Sequence, residues 1–331
     1  TVRASSIGDS LMAKYLLEQV HARFPHARLG LVVASRGGMI RDLLAAYPWI
    51  EVVEANRRHP GALWQFIKNF WRSDLGVTQY TGGVLNLSTK LIARLLTRRG
   101  GLIGFVDRSP LNSLIYDTLL PHHERAGVPR LLECSALAAA GIPVTARMTF
   151  KYLPQPGLLE RLGLQKKNYV VVGLFSGADA RGLSPQRKQD LVDALVQSLP
   201  QEVFVFIGTK TERQKLLELR LPKNAVIADT SVQEAAALID QASAMVSLGT
   251  GTSHIASHLR VPLCVLVACQ GLQWVGTDQY GNAPMQVFCR PEACPGGHDY
   301  STYGPCINAV DFDAVAAAAA GYVTGVQKGA L

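Results

Sequence analysis

A strand, a loop of glycines and hydroxyls, a helix and a second strand follow one another over residues 244–267, and no other segment constrains the fold as much. An apolar run ending at Val246 leads into the loop, a helical pattern extends through Leu259, and another apolar run follows Pro262. Two strands joined through a helix predict neighbouring parallel strands. The segment therefore predicts an α/β fold.

The loop of this segment has the composition of an anion site. Gly249 and Gly251 let the backbone come close to a ligand. Thr250, Thr252 and Ser253 can cap the helix and supply hydroxyl groups. The N-terminus of the helix offers N–H groups and a positive dipole end, which suit a phosphate or pyrophosphate. A capped turn without a ligand is the structural alternative.

Length and composition indicate two globular domains. The chain has 331 residues, of which 48% are hydrophobic and 18% charged, and this balance excludes a disordered or collagen-like protein. No run approaches the roughly 20 apolar residues that a membrane-spanning helix needs. The opening residues lack the charged-then-apolar pattern of a secretion signal, so we expect a cytoplasmic protein.

The positive charge is concentrated in the first half. Residues 1–155 contain 19 Lys and Arg against 10 Asp and Glu, a net +9, whereas the remainder contains 14 against 15, a net −1. Such asymmetry indicates an anionic partner, either nucleic acid, a membrane surface or a phosphorylated acceptor, with a solvated basic face as the alternative. Bases and aromatics alternate between Arg57 and Trp71, but no nucleic-acid-binding motif accompanies them, so we do not expect nucleic acid.

Strands and helices alternate in two sets. The first opens with Ile7-Gly8-Asp9-Ser10 before an amphipathic helix whose apolar face includes Leu11 and Phe24. A carboxylate there would lie at the carboxyl edge of a parallel sheet, where α/β folds bind ligands, although Asp9 could instead be the helix N-cap. Prolines interrupt the pattern at 143–168, the candidate hinge.

Six cysteines are present, and the spacing Cys289-x4-Cys294-x3-His298-x7-Cys306 places four metal-binding groups close together. Three thiols and an imidazole could hold structural zinc or iron in a tetrahedral site. The spacing matches no standard zinc finger, however, so we expect free thiols in a loop rather than a bound metal.

The order of motifs resembles the ADP-heptose:lipopolysaccharide heptosyltransferase family over nearly the whole chain. The motifs are Ile7-Gly8-Asp9, Ser176–Leu183 with Ser184-Pro185, Gly208–Glu212, Ser231–Ile239, Gly249–Ala256 and the late Cys-rich segment. The resemblance implies a GT-B fold, an α/β architecture in which two Rossmann-like domains with parallel sheets face each other across a cleft. We expect a basic acceptor-binding domain at 1–155, a nucleotide-sugar-binding domain at 156–310, and a C-terminal helix within 311–331 that packs back across the domains.

The activity that the resemblance implies is transfer of heptose or a related sugar from a nucleotide diphosphate sugar to an anionic lipopolysaccharide core or similar glycan. The expected donor is an ADP-sugar, and no cofactor or catalytic metal is required. The partners would be this donor, an anionic glycolipid acceptor and the cytoplasmic face of the inner membrane, which the protein would contact peripherally.

The resemblance also assigns roles to residues. Asp9 corresponds to the general base, and Arg181 would stabilise the leaving pyrophosphate together with the amides of Thr250–Ser253. Glu212 would accept hydrogen bonds from the ribose, and Thr209 and Lys210 would line the base pocket. The remaining donor residues are Ser176, Gly177, Gly208, Gly249, Gly251 and His254, although for His254 the residue type favours helix packing over a phosphate contact. Candidate acceptor-binding residues are Arg57, Arg58 and Lys90.

Three positions in two motifs depart from the family pattern. Gly249 replaces an Asp expected to contact the donor sugar, and Arg181 and Leu183 replace a Lys and a Trp. Arginine remains a suitable phosphate ligand, whereas Gly249 removes a sugar-binding group and leaves the donor sugar open. A GT-B sugar-nucleotide epimerase and a non-catalytic binding subunit are the alternative functions.

Overall fold

The computed structural model describes residues 2–4, 6–33, 36–54, 60–78, 87–107, 109–121, 129–144, 147–275, 284–295 and 303–328. The chain divides into two compact units, Thr1–Met148 and Thr149–Leu331. The division falls within the proline-rich segment 143–168, somewhat before the boundary expected at residue 155.

The first unit is built from short parallel strands, each followed by a helix. Its strands are β1 Val2–Ala4, β2 Leu29–Val33, β3 Ile50–Glu54, β4 Gly76–Val77, β5 Leu102–Phe105 and β6 Thr118–Leu120. Its helices are α1 Ile7–Arg23, α2 Gly37–Leu43, α3 Pro60–Phe70, α4 Leu87–Leu96, α5 Asn112–Ile115 and α6 Pro129–Ala139. In the described part of the chain the strands pair as two parallel sheets, β1-β2-β3 and β4-β5-β6.

Helices α3 and α4 share one core with strands from both sheets. Phe66 and Phe70 of α3 are buried in one cluster with Ala93 and Leu96 of α4. The two phenylalanine rings stack with centroids 4.4 Å apart. A Cβ on Gly30 of β2 would lie 2.7 Å from the Phe66 ring, so the close approach of α3 to the sheet requires glycine there.

The second unit contains one continuous parallel sheet. Its strands are β7 Tyr169–Gly173, β8 Val203–Ile207, β9 Val226–Ala228, β10 Ala244–Leu248, β11 Leu263–Leu266 and β12 Met285–Phe288. Its helices are α7 Leu158–Arg161, α8 Pro185–Ser198, α9 Lys210–Leu217, α10 Val232–Gln241, α11 Gly251–His258, α12 Pro305–Asn308 and α13 Phe312–Gln327. Every residue of β7 and β10 is buried, as expected for central strands covered on both faces.

The strand order of this sheet is β12-β11-β10-β7-β8-β9. The chain therefore runs outward from β7 through β8 to β9, crosses back to β10 on the other side of β7, and continues outward to β12. This is the Rossmann order, and its switch point lies between β7 and β10. Ligands of such sheets bind at the carboxyl ends of the strands beside the switch point.

The C-terminal helix α13 packs on α8 and on strands β10 and β11 of the same unit. Arg187 of α8 holds the segment that leads into α13. Its guanidinium donates to Asn308 O at 2.8 Å and to Val310 O at 2.7 Å. The same guanidinium lies 3.9 Å from the centroid of the Phe312 ring. The predicted C-terminal helix is thus part of the second unit's core.

Helix α1 differs from its sequence-based prediction at its C-terminal end. Leu11 is fully buried, but Phe24, which we expected on the same apolar face, is 47% exposed. The helix ends before Phe24, which is the C-cap residue with a non-helical backbone, so its side chain leaves the helical face. Among the described residues, no helix combines the length and apolar character needed to span a membrane.

Candidate functional site

The first turn of α11 is organised by its hydroxyl groups. Ser253 is buried, and its Oγ accepts a hydrogen bond from Thr250 N at 3.1 Å and donates one to Thr250 O at 2.7 Å. The hydroxyls of Thr250 and Thr252 lie 3.1 Å apart. Ser253 therefore holds the turn, and Thr250 and Thr252 are the residues whose hydroxyls can face a ligand beside the first-turn amides.

Gly249 stands between β10 and this turn, and Val267 fills the space beside it. The Gly249 N–H donates to Leu266 O at 2.8 Å, which continues the pairing of β10 with β11. A Cβ on Gly249 would lie 2.6 Å from Val267 Cγ1, and Val267 is 3% exposed. A side chain at position 249 would thus meet a stiff, buried, β-branched neighbour at its first carbon atom.

The loop after β7 carries Ser176, Gly177 and Arg181. Ser176 Oγ donates to Ala178 O at 2.5 Å, and this bond folds the loop into a tight turn. A one-turn 3₁₀ helix at Asp179–Arg181 follows, and both Gly177 and Arg181 are exposed. The turn thus presents a guanidinium at the carboxyl end of β7.

The loop after β8 is fixed by a capping box. Thr209 is the N-cap of α9; its N–H donates to Glu212 Oε2 at 2.7 Å, while Glu212 N donates to Thr209 Oγ1 at 3.4 Å. The capping box explains both residue types locally. It also holds the Glu212 carboxylate next to Gly208, whose added Cβ would lie 3.1 Å from Glu212 Cβ. Lys210 is the first residue of α9 and is exposed.

Sequence reasoning missed Lys188, which lies between these two loops. Its ammonium is 5.2 Å from the centroid of the Phe175 ring and 5.6 Å from that of Tyr303. Burial chiefly, and Lys215 in addition, lower the pKa of Lys188, while Asp179 and Glu212 act in the opposite direction. In the sequence, the one indication of its role is its position in the first turn of the helix that begins at Ser184-Pro185, directly after the β7 loop.

The strand order brings these segments to one edge of the sheet. The loops after β10, β7 and β8 follow three strands that are neighbours in the sheet and parallel. The first-turn amides of α11 and the Arg181 turn therefore flank the switch point, and the Glu212 turn lies one strand farther along. The arrangement offers hydrogen-bond donors and cations to an anion. His254 follows in α11 and is half-buried, whereas His258, one turn later, is buried.

Asp9 lies in the first unit, in the first turn of α1. Ser6 is the N-cap and accepts from Asp9 N at 3.2 Å, so the structural alternative of Asp9 as N-cap is wrong. Asp9 is the third residue of the helix and is half-buried. Its carboxylate is therefore held near the positive end of the α1 dipole, at the carboxyl end of β1.

Of the candidate acceptor residues, Lys90 has structural partners. It is 1% exposed, and its ammonium donates to Asp107 Oδ1 at 2.8 Å and to Asn112 Oδ1 at 2.6 Å. The amide of Asn112 donates in turn to Asp107. Lys90 thus joins α4 to the segment after β5, and an acceptor would have to displace Asp107 to reach it. Arg57 and Arg58 lie outside the described residues.

The solvent side of α3 and α4 is apolar with a basic border. We define the outer helix face as Trp64, Lys68, Trp71, Leu87, Leu91 and Leu95. Its two tryptophans are 59% and 53% exposed, and its three leucines are about half exposed. The helices are adjacent, because Ser73 N, just after α3, donates to Leu96 O at 2.7 Å. Lys68, Arg72 and Arg99 are exposed around this surface.

Four of the six cysteines converge beyond the carboxyl ends of β11 and β12. The cysteine cluster consists of Cys269, Cys289, Cys294 and Cys306. The Sγ atoms of Cys269, Cys294 and Cys306 lie within 4.8 Å of one another, and the Cys289 thiol is near enough to these three to interact with them electrostatically. Burial, and then the neighbouring cysteines, raise the pKa of Cys289 to about 12. The sequence-based set lacked Cys269, and His298 lies outside the described residues.

Comparison with known proteins agrees with this geometry. Residues 185–268, from the start of α8 to just beyond β11, match glycosyltransferase family 9 (heptosyltransferase). No curated protein sequence matches the chain.

Solved heptosyltransferases share the fold at low identity. Escherichia coli ADP-heptose lipopolysaccharide heptosyltransferase II is 14% identical, with 98% of each chain covered and a TM-score of 0.72. E. coli heptosyltransferase WaaC with ADP-2-deoxy-2-fluoro heptose is 18% identical, with 100% of this chain and 98% of that chain covered and a TM-score of 0.60. The dodecameric iron-containing heptosyltransferase TibC of enterotoxigenic E. coli, in complex with ADP-D-β-D-heptose, is 16% identical, with coverage of 100% and 76% and a TM-score of 0.51. The resemblance predicted from the motifs is therefore confirmed: residues 185–268 match the heptosyltransferase family of glycosyltransferases, and the chain has the GT-B fold of those enzymes.

Proposed function

We propose that the protein is an inverting glycosyltransferase that binds a nucleotide diphosphate sugar in its second unit and transfers the sugar to an anionic glycan of the lipopolysaccharide-core kind. The observation that carries the proposal is the switch point of the six-stranded sheet, where the α11 N-terminus and the Arg181 turn flank β10 and β7. Helix amides and a guanidinium are the groups that recognise a diphosphate.

The donor's diphosphate would bind between these two segments. The amides of Gly251 and Thr252 and the hydroxyls of Thr250 and Thr252 donate to one phosphate, and Arg181 binds the other. Negative charge accumulates on the diphosphate as the bond to the sugar breaks, so these fixed donors stabilise the transition state more than the ground state. Lys188 adds a second cation beside Glu212, whose Oε1 accepts from the ribose.

Asp9 is the general base of the proposed reaction. The acceptor hydroxyl attacks the anomeric carbon while its proton passes to the Asp9 carboxylate, and the electron pair of the breaking bond leaves with the diphosphate. A single displacement with attack opposite the leaving group inverts the anomeric centre. This chemistry requires no metal ion.

ADP is the nucleotide we propose, because WaaC and TibC were solved with ADP-sugars. The sugar is not fixed by that argument. Gly249 offers no carboxylate to a sugar, and an added Cβ there would lie 2.6 Å from Val267 Cγ1, so other residues would bind the sugar's hydroxyl groups.

Isothermal titration with ADP and UDP tests the donor site. We expect ADP to bind and Arg181→Ala to weaken it by about 10- to 100-fold, the loss of a charge-assisted contact of about 1.5–3 kcal/mol. Arg220→Ala is the control, since Arg220 pairs with Asp193 on the surface of the second unit. Failure of both nucleotides to bind would refute the proposal. Conversion of the donor sugar without any acceptor would instead identify an epimerase.

The outer helix face supports a further part of the proposal, peripheral contact with an anionic membrane. Exposed tryptophans and leucines bordered by lysine and arginine are typical of surfaces that lie in a bilayer interface. The first unit also carries the net positive charge of the chain. Docking through this face would bring the first unit to the layer in which a glycolipid acceptor resides.

Co-sedimentation with vesicles tests this contact. We expect binding to phosphatidylglycerol-containing vesicles, little binding to phosphatidylcholine alone, and loss of binding in Leu91→Glu. Leu217→Glu is a matched control, because Leu217 is a similarly exposed leucine on α9 of the second unit. Equal binding of the two variants would contradict a role for the outer helix face.

A further inference from the structure

A pocket with a volume of about 460 Å³ lies in the second unit, at the amino ends of β10 and β11. Asp240 ends α10 just before β10, and Arg260 lies between α11 and β11. The proposed donor site is at the opposite edge of the sheet, the five-residue length of β10 or about 16 Å away. We name this cavity the amino-edge pocket; its walls include Phe150, Lys151, Tyr152, Asp240, Leu259 and Arg260.

Helix α11 ends at the pocket in a left-handed turn. Arg260 has φ 61°, its N–H donates to Ser257 O at 3.2 Å, and Val261 N donates to Ala256 O at 3.0 Å. Glycine is the usual residue at this position of such a helix end, because a side chain at positive φ is strained. The turn therefore tolerates arginine at a cost that glycine would avoid.

The guanidinium of Arg260 is not used to hold the fold. Arg260 is exposed, and among the described residues its side chain has no hydrogen-bond or ion-pair partner. A strained backbone that carries an unpaired functional group is typical of a binding position. The geometry thus directs attention to what the arginine could bind in the pocket.

The carbonyl groups at the end of α10 already have donors. Lys167 Nζ donates to Asp240 O at 2.9 Å and to Ala242 O at 2.8 Å, and its backbone N–H donates to Gln241 O at 2.8 Å. A helix C-terminus with open carbonyls repels anions. Because Lys167 occupies these carbonyls, the end of α10 opposes an anion in the pocket less than an uncapped helix would.

The side chains of the pocket combine two cations with one oriented acid. Lys151 is exposed and, together with Arg260, supplies a charge of +2 against −1 from Asp240. The hydroxyl of Tyr152 donates to Asp240 Oδ2 at 2.8 Å and so fixes the carboxylate. Its other oxygen, Oδ1, accepts no hydrogen bond from the described residues. The pocket therefore offers cations to an anion and an acceptor to a hydroxyl group.

We propose that the amino-edge pocket binds a small phosphorylated polyol of the sugar-phosphate class. Arg260 and Lys151 bind the phosphate, a group that a guanidinium can hold through two hydrogen bonds. Asp240 Oδ1 accepts a hydrogen bond from a sugar hydroxyl. Phe150 and Leu259 pack against the carbon skeleton, and the volume of the pocket lies in the range of small-molecule sites. The site is separate from the proposed donor site.

Isothermal titration of the full chain with glucose 6-phosphate, inorganic phosphate and glucose tests the proposal. We expect glucose 6-phosphate to bind more tightly than inorganic phosphate and glucose not to bind. Arg260→Gly should weaken binding of glucose 6-phosphate by about 10- to 100-fold through loss of a charge-assisted contact. Unchanged affinity in this variant, or failure of both phosphate compounds to bind at about 10 mM, would overturn the proposal.

Thermal unfolding shows whether the loss of binding comes from damage to the fold. Arg260→Gly relieves the strained backbone and should raise the melting temperature by about 2–4 °C while binding is lost. Arg72→Gly is the matched control, because Arg72 in the first unit has nearly the same backbone conformation, with φ 60°. It should affect stability in the same direction and leave binding of glucose 6-phosphate unchanged. Equal loss of binding in both variants would contradict a contact with Arg260.

The hydroxyl contact has its own test. Asp240→Asn should lower the affinity for glucose 6-phosphate relative to that for inorganic phosphate by about 3- to 10-fold, because a neutral acceptor replaces a charged one. Inorganic phosphate itself should bind at least as well, since a negative charge has been removed. An unchanged ratio of the two affinities would overturn the assignment of a sugar phosphate.

Competition with ADP separates this pocket from the donor site. Saturating ADP should not displace glucose 6-phosphate, and Arg181→Ala, which alters the proposed diphosphate contact, should bind glucose 6-phosphate as the wild type does. Displacement by ADP, together with full binding in Arg260→Gly, would locate the sugar phosphate in the donor site and overturn the proposal. Failure of ADP to bind at all would refute the proposed function and leave the result for this pocket unaffected.

Discussion

Helices α1 and α11 begin in the same way, but their first turns differ in charge. Each follows a strand after a short turn, and the N-cap is Ser6 in α1 and Thr250 in α11. The third helical residue is Asp9 in α1 and Ser253 in α11. The first turn of α1 therefore carries a carboxylate, whereas that of α11 carries no acidic residue.

The difference shows how one backbone device can serve both halves of a transfer reaction. A helix N-terminus stabilises negative charge. In α1 that charge belongs to the protein itself, on the side chain of Asp9, which we propose as the general base. In α11 the place is left for a charge that arrives with the donor. Removing the acid from α1 should therefore impair proton transfer, and adding one to α11 should impair donor binding.

Removing the carboxylate from α1 should have the largest effect. We expect Asp9→Asn to lower the rate of sugar transfer by about 10²- to 10⁴-fold, the usual contribution of a general base. Affinity for ADP should be unchanged, because the proposed donor site lies in the second unit. Transfer assays and titration of the same preparation measure both quantities. Asp74→Asn, a change at an exposed surface carboxylate, should leave both unaffected, and normal transfer by Asp9→Asn would exclude Asp9 as the base.

Adding a carboxylate to α11 is the converse experiment. Thr252→Asp should weaken ADP binding by about 10- to 100-fold through repulsion of the diphosphate and loss of a hydroxyl donor. It should not destabilise the fold, because an acid in the first turn favours the helix by about 0.3–1 kcal/mol. Titration and thermal unfolding distinguish the two effects. Weaker binding accompanied by a lower melting temperature would point to misfolding rather than to charge.

Gly249 allows a finer test of what the α11 site can hold. Gly249→Asp should cost about 1–3 kcal/mol of unfolding free energy, because its Cβ meets Val267 Cγ1. In a Val267→Ala background the same change should cost less, and chemical denaturation of the four variants gives the coupling energy. Additive effects would show that Val267 is not the obstacle.

Lys188 should produce the smallest effect, visible as a pH dependence. A bound diphosphate favours the charged ammonium, so ADP affinity should fall as pH rises through the lowered pKa of Lys188, below the range of an ordinary lysine. The arginine in Lys188→Arg stays charged up to about pH 12, so this variant should lose less ADP affinity as the pH rises. Titration from neutral pH to about pH 10 compares the two proteins. Identical profiles would remove Lys188 from the phosphate site.

The sequence was most informative where each local signal agreed with the fold. Strands β10 and β11 and helix α11 lie within the segment 244–267, where apolar runs and capping residues predicted two strands and a helix. In the second unit, strands buried on both faces produce long apolar runs, which are easy to recognise. Strand order is a different matter, because it depends on pairing between distant segments, and no local pattern states that β10 returns to the side of β7.

The loops of the candidate site could be predicted from the sequence, but the side chains that pack beside them could not. Glycine and hydroxyl spacing located the α11 turn, yet the position of Lys188 follows from packing of α8 behind the β7 loop. Lys90 looked like a surface cation until its burial against Asp107 was visible. Cys269 belonged to no spacing pattern, and only the fold brings it to Cys306.

The contact between Gly249 and Val267 also restricts the order in which this protein could change its donor. An acid introduced first at position 249 meets a filled space and carries its full cost before it can contact any sugar. A smaller residue introduced first at position 267 leaves a tolerable gap, and the acid can follow. The accessible evolutionary route therefore begins at Val267, a buried residue, rather than at the exposed turn of α11.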